Sequence, residues 1–521
     1  MTATATASVT AGLDRRTRLG VAALLLATFL GQFESFVIVV ALPQIQQDLG
    51  ADFGEVQLAA AVFVFACAAG LVIGGRAGDR YGRRRMFLAS VVFFTISTLV
   101  CALAADPALL IGARLAQGIG AAVMIPQVLS LLRVVVTDPV AQARAVGGYG
   151  VAMGAGVVAG LSGGGLLIGL DVGGLGWRLA FLAMIPAGVL ILLGGLGLPE
   201  SRDDAPQRLD VAGAVLTLLC LPSLLTPLML GPAYGWPGWV WLFLVAGAVL
   251  AVILVLQQRR GARRGVDVLF APRLFGVTGF PTSMVTLLVL YAGNAGWFLI
   301  LTYHLQRGLE LSPIATGLAF APLGVGFALG SATSGRLASR NSKRVAVGGA
   351  ALAAVSLLGA AASVGLSDGP QIAALAVLAG TAGAGQGLMV APLLAGILAL
   401  TNVRDVGATV GIATTVIQFG LVIGFAVTGV AYRFFGGSDP AGLDPTGGSA
   451  GTAFASAALV VAAAAGVTAL LSARLFRLGS FSGTGSSPGT DSAGSLPECR
   501  SLEGNDDVAL RFTDPSTCNR R

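Results

Sequence analysis

Glu34 is the residue of this sequence whose type and position most clearly suggest chemistry. It lies well inside the apolar run from Leu19 to Pro43, and none of the other acidic residues has a comparable mid-span position. A charged side chain at the centre of a membrane helix costs about 2.5–3.5 kcal/mol on insertion scales, so its retention needs a reason. A carboxyl group in an apolar environment also binds a proton more readily than one in water. Glu34 is therefore predicted to carry protons, with a structural acid paired to an arginine as the alternative.

Arg114 is the second charged residue inside an apolar run. It could pair with Glu34, bind an anionic part of a substrate, or tie helices together, and we predict that it couples to the ionisation of Glu34. Other side chains in or near apolar runs could line a cavity or serve only as hydrogen-bonding contacts between helices, worth about 0.6 kcal/mol each. The candidates for the cavity are Gln32, Phe36, Gln117, Asn294, Tyr303 and Gln418, and the same two readings apply to Gln306 and Gln386.

Apolar residues dominate the whole chain. Of its 521 residues, 55% are hydrophobic and only 11% are charged, whereas a soluble domain carries about 25% charged residues. A soluble core could not hide so much apolar surface, so the sequence predicts an all-α polytopic membrane protein. Runs of about 20 apolar residues mark its spans. We place fourteen of them near 19–41, 56–75, 86–105, 108–132, 145–169, 177–198, 210–230, 238–257, 278–303, 313–335, 344–365, 370–399, 406–432 and 451–474.

The distribution of positive charge predicts the orientation of these spans. With the N-terminus inside the cell, the inner loops and termini carry 28 of the 32 Lys and Arg residues, and Arg114 lies within a span. The outer loops carry only Arg178, Arg307 and Arg433. Cytoplasmic loops of membrane proteins are enriched in Lys and Arg. Both termini are therefore predicted to be cytoplasmic, in a protein of the cell membrane.

Several classes of protein are not indicated by the sequence. The cysteines form no CxxC pair, His304 is the only histidine, and Lys343 is the only lysine and follows Ser342. These facts indicate neither a disulfide framework nor a metal site, and they exclude the phosphate loop of an ATP-driven pump. No selectivity filter of a channel is visible, and one mid-span Glu with one Arg are too few for a membrane enzyme. We expect no enzyme activity, cofactor or nucleic-acid partner, and a monomer in the lipid bilayer.

A glycine- and arginine-rich segment, Gly75–Arg85, follows the second span. Glycines permit a tight turn between helices, and Asp79 can accept hydrogen bonds from backbone or arginine. The segment either sets only the topology or stabilises one of two conformations of the protein. A degenerate copy, Gly335–Arg340, follows the tenth span with Ser339 in place of the acid, which suggests a duplicated architecture. The residues predicted to act in gating are Gly75, Asp79, Arg80, Gly82, Arg83 and Arg84.

This segment resembles the signature loop, G-x-x-x-D-R-x-G-R-R, of the major facilitator superfamily. Further segments resemble motifs of that family in the same order along residues 15–478. They are Phe33–Pro43 in the first span, Arg114–Gly118 in the fourth, an antiporter glycine motif in the fifth (Gly156, Gly160, Gly163, Gly164), the Trp177–Pro186 entry to the sixth and the Leu209–Gly213 entry to the seventh. Close helix packing alone would also explain the glycines. The resemblance is to the branch with fourteen helices, the drug/proton antiporters.

The resemblance implies the major facilitator fold, with two six-helix bundles and two helices inserted between them. The expected division is a cytoplasmic N-terminus (1–18), an N-terminal bundle (19–200), the inserted helices with a basic loop (201–265), a C-terminal bundle (266–478) and a disordered cytoplasmic tail (479–521). The implied function is export of lipophilic drugs or antibiotics by alternating access, coupled to protons. The alternatives are a proton-coupled nutrient uptake symporter of the same fold and a membrane sensor. Because Glu34 is the only mid-span carboxylate, we expect a neutral or singly positive substrate exchanged for one proton.

Overall fold

The computed structural model describes residues 15–136, 138–202, 210–231, 234–264, 268, 272–401, 406–436 and 449–477. Helices account for nearly all of these residues, and no strand occurs among them, which confirms the predicted all-α class. The predicted disordered tail, 479–521, lies outside the described residues, as do residues 1–14 of the predicted N-terminal segment.

The first half of the chain forms eight helical segments. They are α1 (Arg15–Asp48), α2 (Phe53–Tyr81), α3 (Arg83–Ala102), α4 (Pro107–Val135), α5 (Pro139–Val158), α6 (Gly164–Leu170), α7 (Arg178–Leu182) and α8 (Met184–Gly195). A π-helical turn, Ala159–Gly163, joins α5 to α6 within one span. Residues at the starts of these helices explain some of the boundaries, since Asp106 and Asp138 each accept a hydrogen bond from a backbone N–H of the first turn and so satisfy a donor that the helix leaves free.

The second half contains the inserted pair and the remaining helices. They are α9 (Val211–Leu230), α10 (Gly238–Arg263), α11 (Phe280–Tyr303), α12 (Pro313–Ala362), α13 (Asp368–Ala399), α14 (Val406–Gly436) and α15 (Ser449–Arg477). The long helix α12 contains two spans that meet at Asn341, where the backbone leaves the helical conformation. A second π-helical turn, His304–Gly308, extends α11.

Thirteen helices of the described chain are long and apolar enough to cross a membrane. The predicted seventh span is present as helix α9, which is apolar over its length but is not among these thirteen. Helix α9 contains Pro222 and Pro227, whose missing N–H groups interrupt the helical hydrogen bonds. It packs against α10, α2 and α14, so the inserted helices lie beside the seam between the two bundles.

The two bundles repeat one packing scheme. A side chain on Gly118 of α4 would collide with the backbone oxygen of Phe63 in α2, and one on Gly387 of α13 would collide with that of Phe327 in α12. In the same way Gly160, in the π-helical turn after α5, faces the backbone oxygen of Phe33 in α1. Its counterpart is Gly424 of α14, which faces the backbone oxygen of Ala292 in α11. These close approaches require glycine, and they show that equivalent pairs of helices pack in the same way in the two bundles.

The bundles are joined at the end where α1 and α11 finish, which we call the distal end. Tyr303 donates a hydrogen bond to Oε1 of Gln46 at 3.1 Å, and Gln306 donates one to the carbonyl oxygen of Val40 at 2.9 Å. The Nε2 atom of Gln57 in α2 donates to the carbonyl oxygen of Phe425 in α14 at 3.3 Å. The distal end is therefore closed by contacts that run from one bundle to the other.

Candidate functional site

Helices α1 and α4 bring Glu34 and Arg114 together inside the N-terminal bundle. The Nη1 atom of Arg114 contacts Oε1 of Glu34 as an ion pair, and both side chains are 0% exposed. Arg114 thus pairs with the carboxylate of Glu34, which is one of the three roles that the sequence leaves open for it. Removing one partner from a buried pair leaves an uncompensated charge and costs about 3–5 kcal/mol. Each of the two residues therefore requires the opposite charge of the other.

Further contacts connect Arg114 to α2 and, through Gln117 of its own helix, to α3. Its Nε atom donates to the carbonyl oxygen of Ala59 in α2 at 3.1 Å, and its Nη1 atom donates to Oε1 of Gln117 at 2.9 Å. Gln117 in turn donates to Oγ1 of Thr98 in α3 at 2.8 Å. The guanidinium carbon lies 4.4 Å from the ring centroid of Phe63, within the range of a cation–π contact. A change at the carboxylate can therefore be transmitted to α2, α3 and α4.

Two atoms of the ion pair remain without a hydrogen-bond partner in the described chain. They are Oε2 of Glu34 and Nη2 of Arg114, and both are buried. Buried polar atoms in proteins are nearly always satisfied, and each exception needs an explanation. A free carboxylate oxygen next to a paired one provides an atom that can accept a proton.

The signature loop is held against the end of the N-terminal bundle. Asp79 and Arg83 form an ion pair at 2.7 Å, and Gly82 between them has φ of 104°, which only glycine adopts readily. The backbone N–H of Arg83 donates to the carbonyl oxygen of Ser201 at 2.8 Å, and that of Arg84 donates to Oε1 of Glu200 at 3.1 Å. The loop thus links α2 and α3 to the segment that follows α8.

The remaining residues of the predicted gating group lie nearby with fewer contacts. The guanidinium carbon of Arg80 is 5.6 Å from the ring centroid of its neighbour Tyr81. A methyl group on Gly75 would lie 3.6 Å from Pro126 of α4, in ordinary contact.

The glycines of the predicted antiporter motif have different surroundings. A methyl group on Gly156 would lie 2.5 Å from the carbonyl oxygen of Phe29 in α1, and one on Gly160 would lie 2.8 Å from that of Phe33. One on Gly164 would lie 2.6 Å from Val37, whereas Gly163 has no neighbour within 4 Å. The motif therefore packs α5 and α6 closely on α1, the helix that carries Glu34.

The predicted cavity residues do not share one location. Gln117 is fully buried in the network around Arg114, and Tyr303 is buried at the distal end, so both are committed to contacts between helices. Gln32 and Gln418 are half-buried, and the ring of Phe36 meets the ring of Phe298 edge-on at 5.5 Å across the two bundles. Asn294 is the candidate that lines a cavity in the described chain, within the C-terminal bundle.

Sequence reasoning missed several residues around the site. Thr98, Ala59 and Phe63 contact the Arg114 network, yet threonine, alanine and phenylalanine are too common in apolar spans to be singled out. At the distal end, sequence reasoning also missed Phe53 and Tyr432: the ring of Phe53 lies 4.8 Å from that of Tyr303, and Tyr432 packs on both. Aromatic residues are common in apolar segments, so these residues gave no signal in the sequence. Their contacts depend on how the helices face one another.

Comparison with protein families decides the fold family. The model of the Major Facilitator Superfamily matches residues 24–289, which is just over half of the chain. The chain belongs to the Major Facilitator Superfamily. As a member of this superfamily it is a multi-pass membrane protein.

Curated relatives in this superfamily have names that refer to antibiotics. The chain is 34% identical to a probable actinorhodin transporter of Streptomyces coelicolor, over 79% of this chain and 71% of that protein. It is 33% identical to a puromycin resistance protein of Streptomyces alboniger, over 80% of this chain and 82% of that protein. A cephamycin export protein of Amycolatopsis lactamdurans is 32% identical, over 80% of this chain and 86% of that protein.

Solved structures confirm the fold. A bacterial homolog of the human lysosomal transporter Spinster, in an inward-facing unoccupied conformation, superposes with a TM-score of 0.62 at 19% identity. The match covers 90% of this chain and 98% of that one. The xylose transporter XylE of E. coli, in an inward open conformation, gives a TM-score of 0.55 at 12% identity over 85% of this chain and 94% of that one.

Proposed function

We propose that this protein exports lipophilic drugs or antibiotics across the bacterial cytoplasmic membrane and is driven by proton entry. The observation that carries the proposal is the buried Glu34–Arg114 pair in a chain whose relatives are antibiotic transporters and resistance proteins. The names of these relatives favour export over the alternative of nutrient uptake.

Proton coupling follows because the carboxyl group of Glu34 is either ionised or protonated, and the two forms make different contacts. When ionised, Glu34 attracts Arg114, and when protonated it releases the guanidinium to its remaining partners, Ala59 and Gln117. Two binding events that stabilise different states of one site are thermodynamically coupled in both directions. Proton binding at Glu34 is thereby linked to the arrangement of α1, α2 and α4, and through them to the substrate.

The proposed orientation has the signature loop in the cytoplasm and the distal end facing outward. Cytoplasmic loops are rich in arginine, and Arg83, Arg84 and Arg85 begin α3 at the loop end. With the distal end joined by Gln46, Tyr303 and Gln57, the structure corresponds to a state closed to the outside. We further propose that the bundles 19–200 and 266–478 move against each other, with 201–265 as an accessory pair, in a monomeric protein with cytoplasmic termini.

A single carboxylate also limits the cargo. It can carry one proton or balance one positive charge before a further buried cation becomes costly. The proposed substrate is therefore neutral or singly positive, exchanged for one proton. Exchange of a neutral molecule moves charge and responds to membrane potential with about 2.3 kcal/mol per charge per 100 mV, whereas exchange of a monocation is electroneutral.

Transport into inside-out vesicles tests the proposal. With an acidic lumen, a proton-coupled exporter accumulates a lipophilic fluorescent dye in the lumen, and an uncoupler abolishes the accumulation. An uptake symporter would instead move the dye out of the lumen along with the protons. Vesicles from cells that lack the protein are the control. Accumulation that is independent of both the pH gradient and the membrane potential would overturn the proton-coupled mechanism.

A further inference from the structure

Helix α10, the second of the inserted pair, is buried along only one narrow line. Its buried residues are Val240, Gly247 and Gln258. With about 3.6 residues per turn, these three positions fall within roughly 20° of one another around the helix axis. The opposite side of α10 therefore faces away from the rest of the protein.

Exposed apolar side chains form a continuous row along that opposite side. Leu242, Val245, Val249 and Leu256 belong to it, and they are between 45% and 68% exposed. An exposed apolar row on a membrane-spanning helix is in contact with the hydrocarbon chains of lipid. We call the exposed side of α10 from Trp241 to Arg264 the outer face of α10.

Four arginines end the outer face. Arg259, Arg260, Arg263 and Arg264 are all exposed. Arg260 and Arg263 lie about 140–160° around the helix from the buried line, and Arg259 and Arg264 flank them. The arginines therefore continue the apolar row instead of pointing toward the bundles.

The length of α10 places these arginines at the depth of the lipid headgroups. Trp239 and Trp241 lie in its first turn, and tryptophan in membrane helices is enriched at the membrane–water interface. Arg259 follows Trp241 by 18 residues, which corresponds to about 27 Å of helix. The hydrocarbon core of a bilayer is about 30 Å thick, so the arginines reach the opposite interface.

The charge of the four arginines is not balanced within the described chain. None of their side chains makes a hydrogen bond or an ion pair there, whereas in the signature loop Arg83 pairs with Asp79 and Arg85 lies 3.7 Å from Oε2 of Glu200. A guanidinium group can hold a phosphate with two parallel hydrogen bonds. Clusters of arginine at a membrane surface also attract anionic lipids.

We propose that the outer face of α10 binds an anionic phospholipid. The four arginines hold its phosphate, and the acyl chains lie along the apolar row. A soluble anion would leave the apolar row unused, and a zwitterionic phospholipid would bring no net charge to balance the arginines. Because α10 packs on α9, which also packs on α2 and α14, the bound lipid supports the inserted pair beside the seam between the bundles.

Photocrosslinking of the purified full chain in nanodiscs of phosphatidylcholine tests the proposal. One sample contains a trace of phosphatidylglycerol with a diazirine in its acyl chain near the glycerol, and a second contains phosphatidylcholine with the same diazirine. Mass spectrometry of chymotryptic peptides locates the crosslinks. We expect phosphatidylglycerol to label the outer face of α10 about five-fold more than phosphatidylcholine does, the factor for one charge at a membrane surface. Free glycerol phosphate should not compete.

Variants separate charge from ordinary lipid contact. The combination of Arg259→Gln, Arg260→Gln, Arg263→Gln and Arg264→Gln should make the two lipids label equally. Lysine at the same four positions is the matched control, because it keeps the charge and should keep the preference. Size exclusion verifies that each variant folds. If the glutamine variant does not fold, salt at about 1 M, which screens charges beyond about 3 Å, should remove the preference in the parent protein.

Other results would overturn the assignment. Equal labelling of the parent protein by the two lipids, or a preference that the folded glutamine variant retains, would mean that α10 contacts only ordinary boundary lipid. Loss of the preference in both variants would point to a change in the helix and not in its charge. Competition by glycerol phosphate would mean that the arginines bind a soluble anion.

Discussion

The two bundles share a packing scheme but differ in the charge of their interiors. In the N-terminal bundle, Glu34 and Arg114 form a buried ion pair, whereas no Asp, Glu, Lys or Arg side chain is buried among the described residues of the C-terminal bundle. Gln117 of the N-terminal bundle and Gln386 of the C-terminal bundle are both buried, but only Gln117 has hydrogen-bond partners within the described chain. The buried charges of the described chain therefore lie in the N-terminal bundle.

The largest effect is expected from Glu34→Gln. The amide resembles the protonated carboxyl group but cannot titrate, so proton-driven export should fall about 100-fold, near the upper end of typical coupling free energies. Dye accumulation in inside-out vesicles measures this, and Glu55→Gln at the start of α2 is the control. If the comparison between bundles is correct, Gln386→Leu, which removes a buried amide of the C-terminal bundle, keeps the response to pH. If the Glu34→Gln variant keeps the proton dependence of the parent protein, the titrating group is a different residue.

Arg114→Lys should reduce export about ten-fold and move its pH optimum. Lysine keeps the charge but lacks the planar fork, so it cannot maintain the contacts to Ala59, Gln117 and Glu34 together. Export measured between pH 5.5 and 8.5 checks the prediction, with fluorescence-detected size exclusion to verify that the variant folds. A pH profile that superposes on that of the parent would show that Arg114 only supports the structure.

Two substitutions in the glycine motif should differ although they are three residues apart. Gly160→Ala places a methyl group 2.8 Å from the carbonyl oxygen of Phe33, and such overpacking costs about 1–3 kcal/mol. We expect export to fall several-fold and the melting temperature to decrease. Gly163→Ala enters open space and should behave as the parent does. Equal behaviour of the pair would mean that α5 does not pack on α1 during transport.

The smallest effect is expected from Asp79→Asn in the signature loop. Its ion pair with Arg83 is partly exposed, and exposed ion pairs are worth about 0.2–1 kcal/mol. Turnover should slow about two-fold, with a change in how fast cysteines engineered at the distal end react with a membrane-impermeant maleimide. An unchanged labelling rate would assign the loop to topology alone.

Sequence reasoning recovered the fold because long apolar runs can only be satisfied as membrane helices. It also singled out Glu34 and Arg114, since a charge in an apolar run stands out by its cost. The partners of Arg114 could not be found in this way, because the contact of Ala59 is made by its backbone and that of Thr98 depends on the rotation of α3. Gln117 and Tyr303 were candidates either for a cavity or for contacts between helices, and the structure places both in buried hydrogen bonds.

The closure of the distal end has a consequence for the heat capacity of transport. Aromatic rings of Phe53, Tyr303 and Tyr432 pack together there, and opening this end exposes them to water. Exposure of apolar surface raises the heat capacity, so the enthalpy of opening changes with temperature. A plot of the logarithm of the equilibrium constant between the closed and open states against reciprocal temperature should therefore be curved rather than straight.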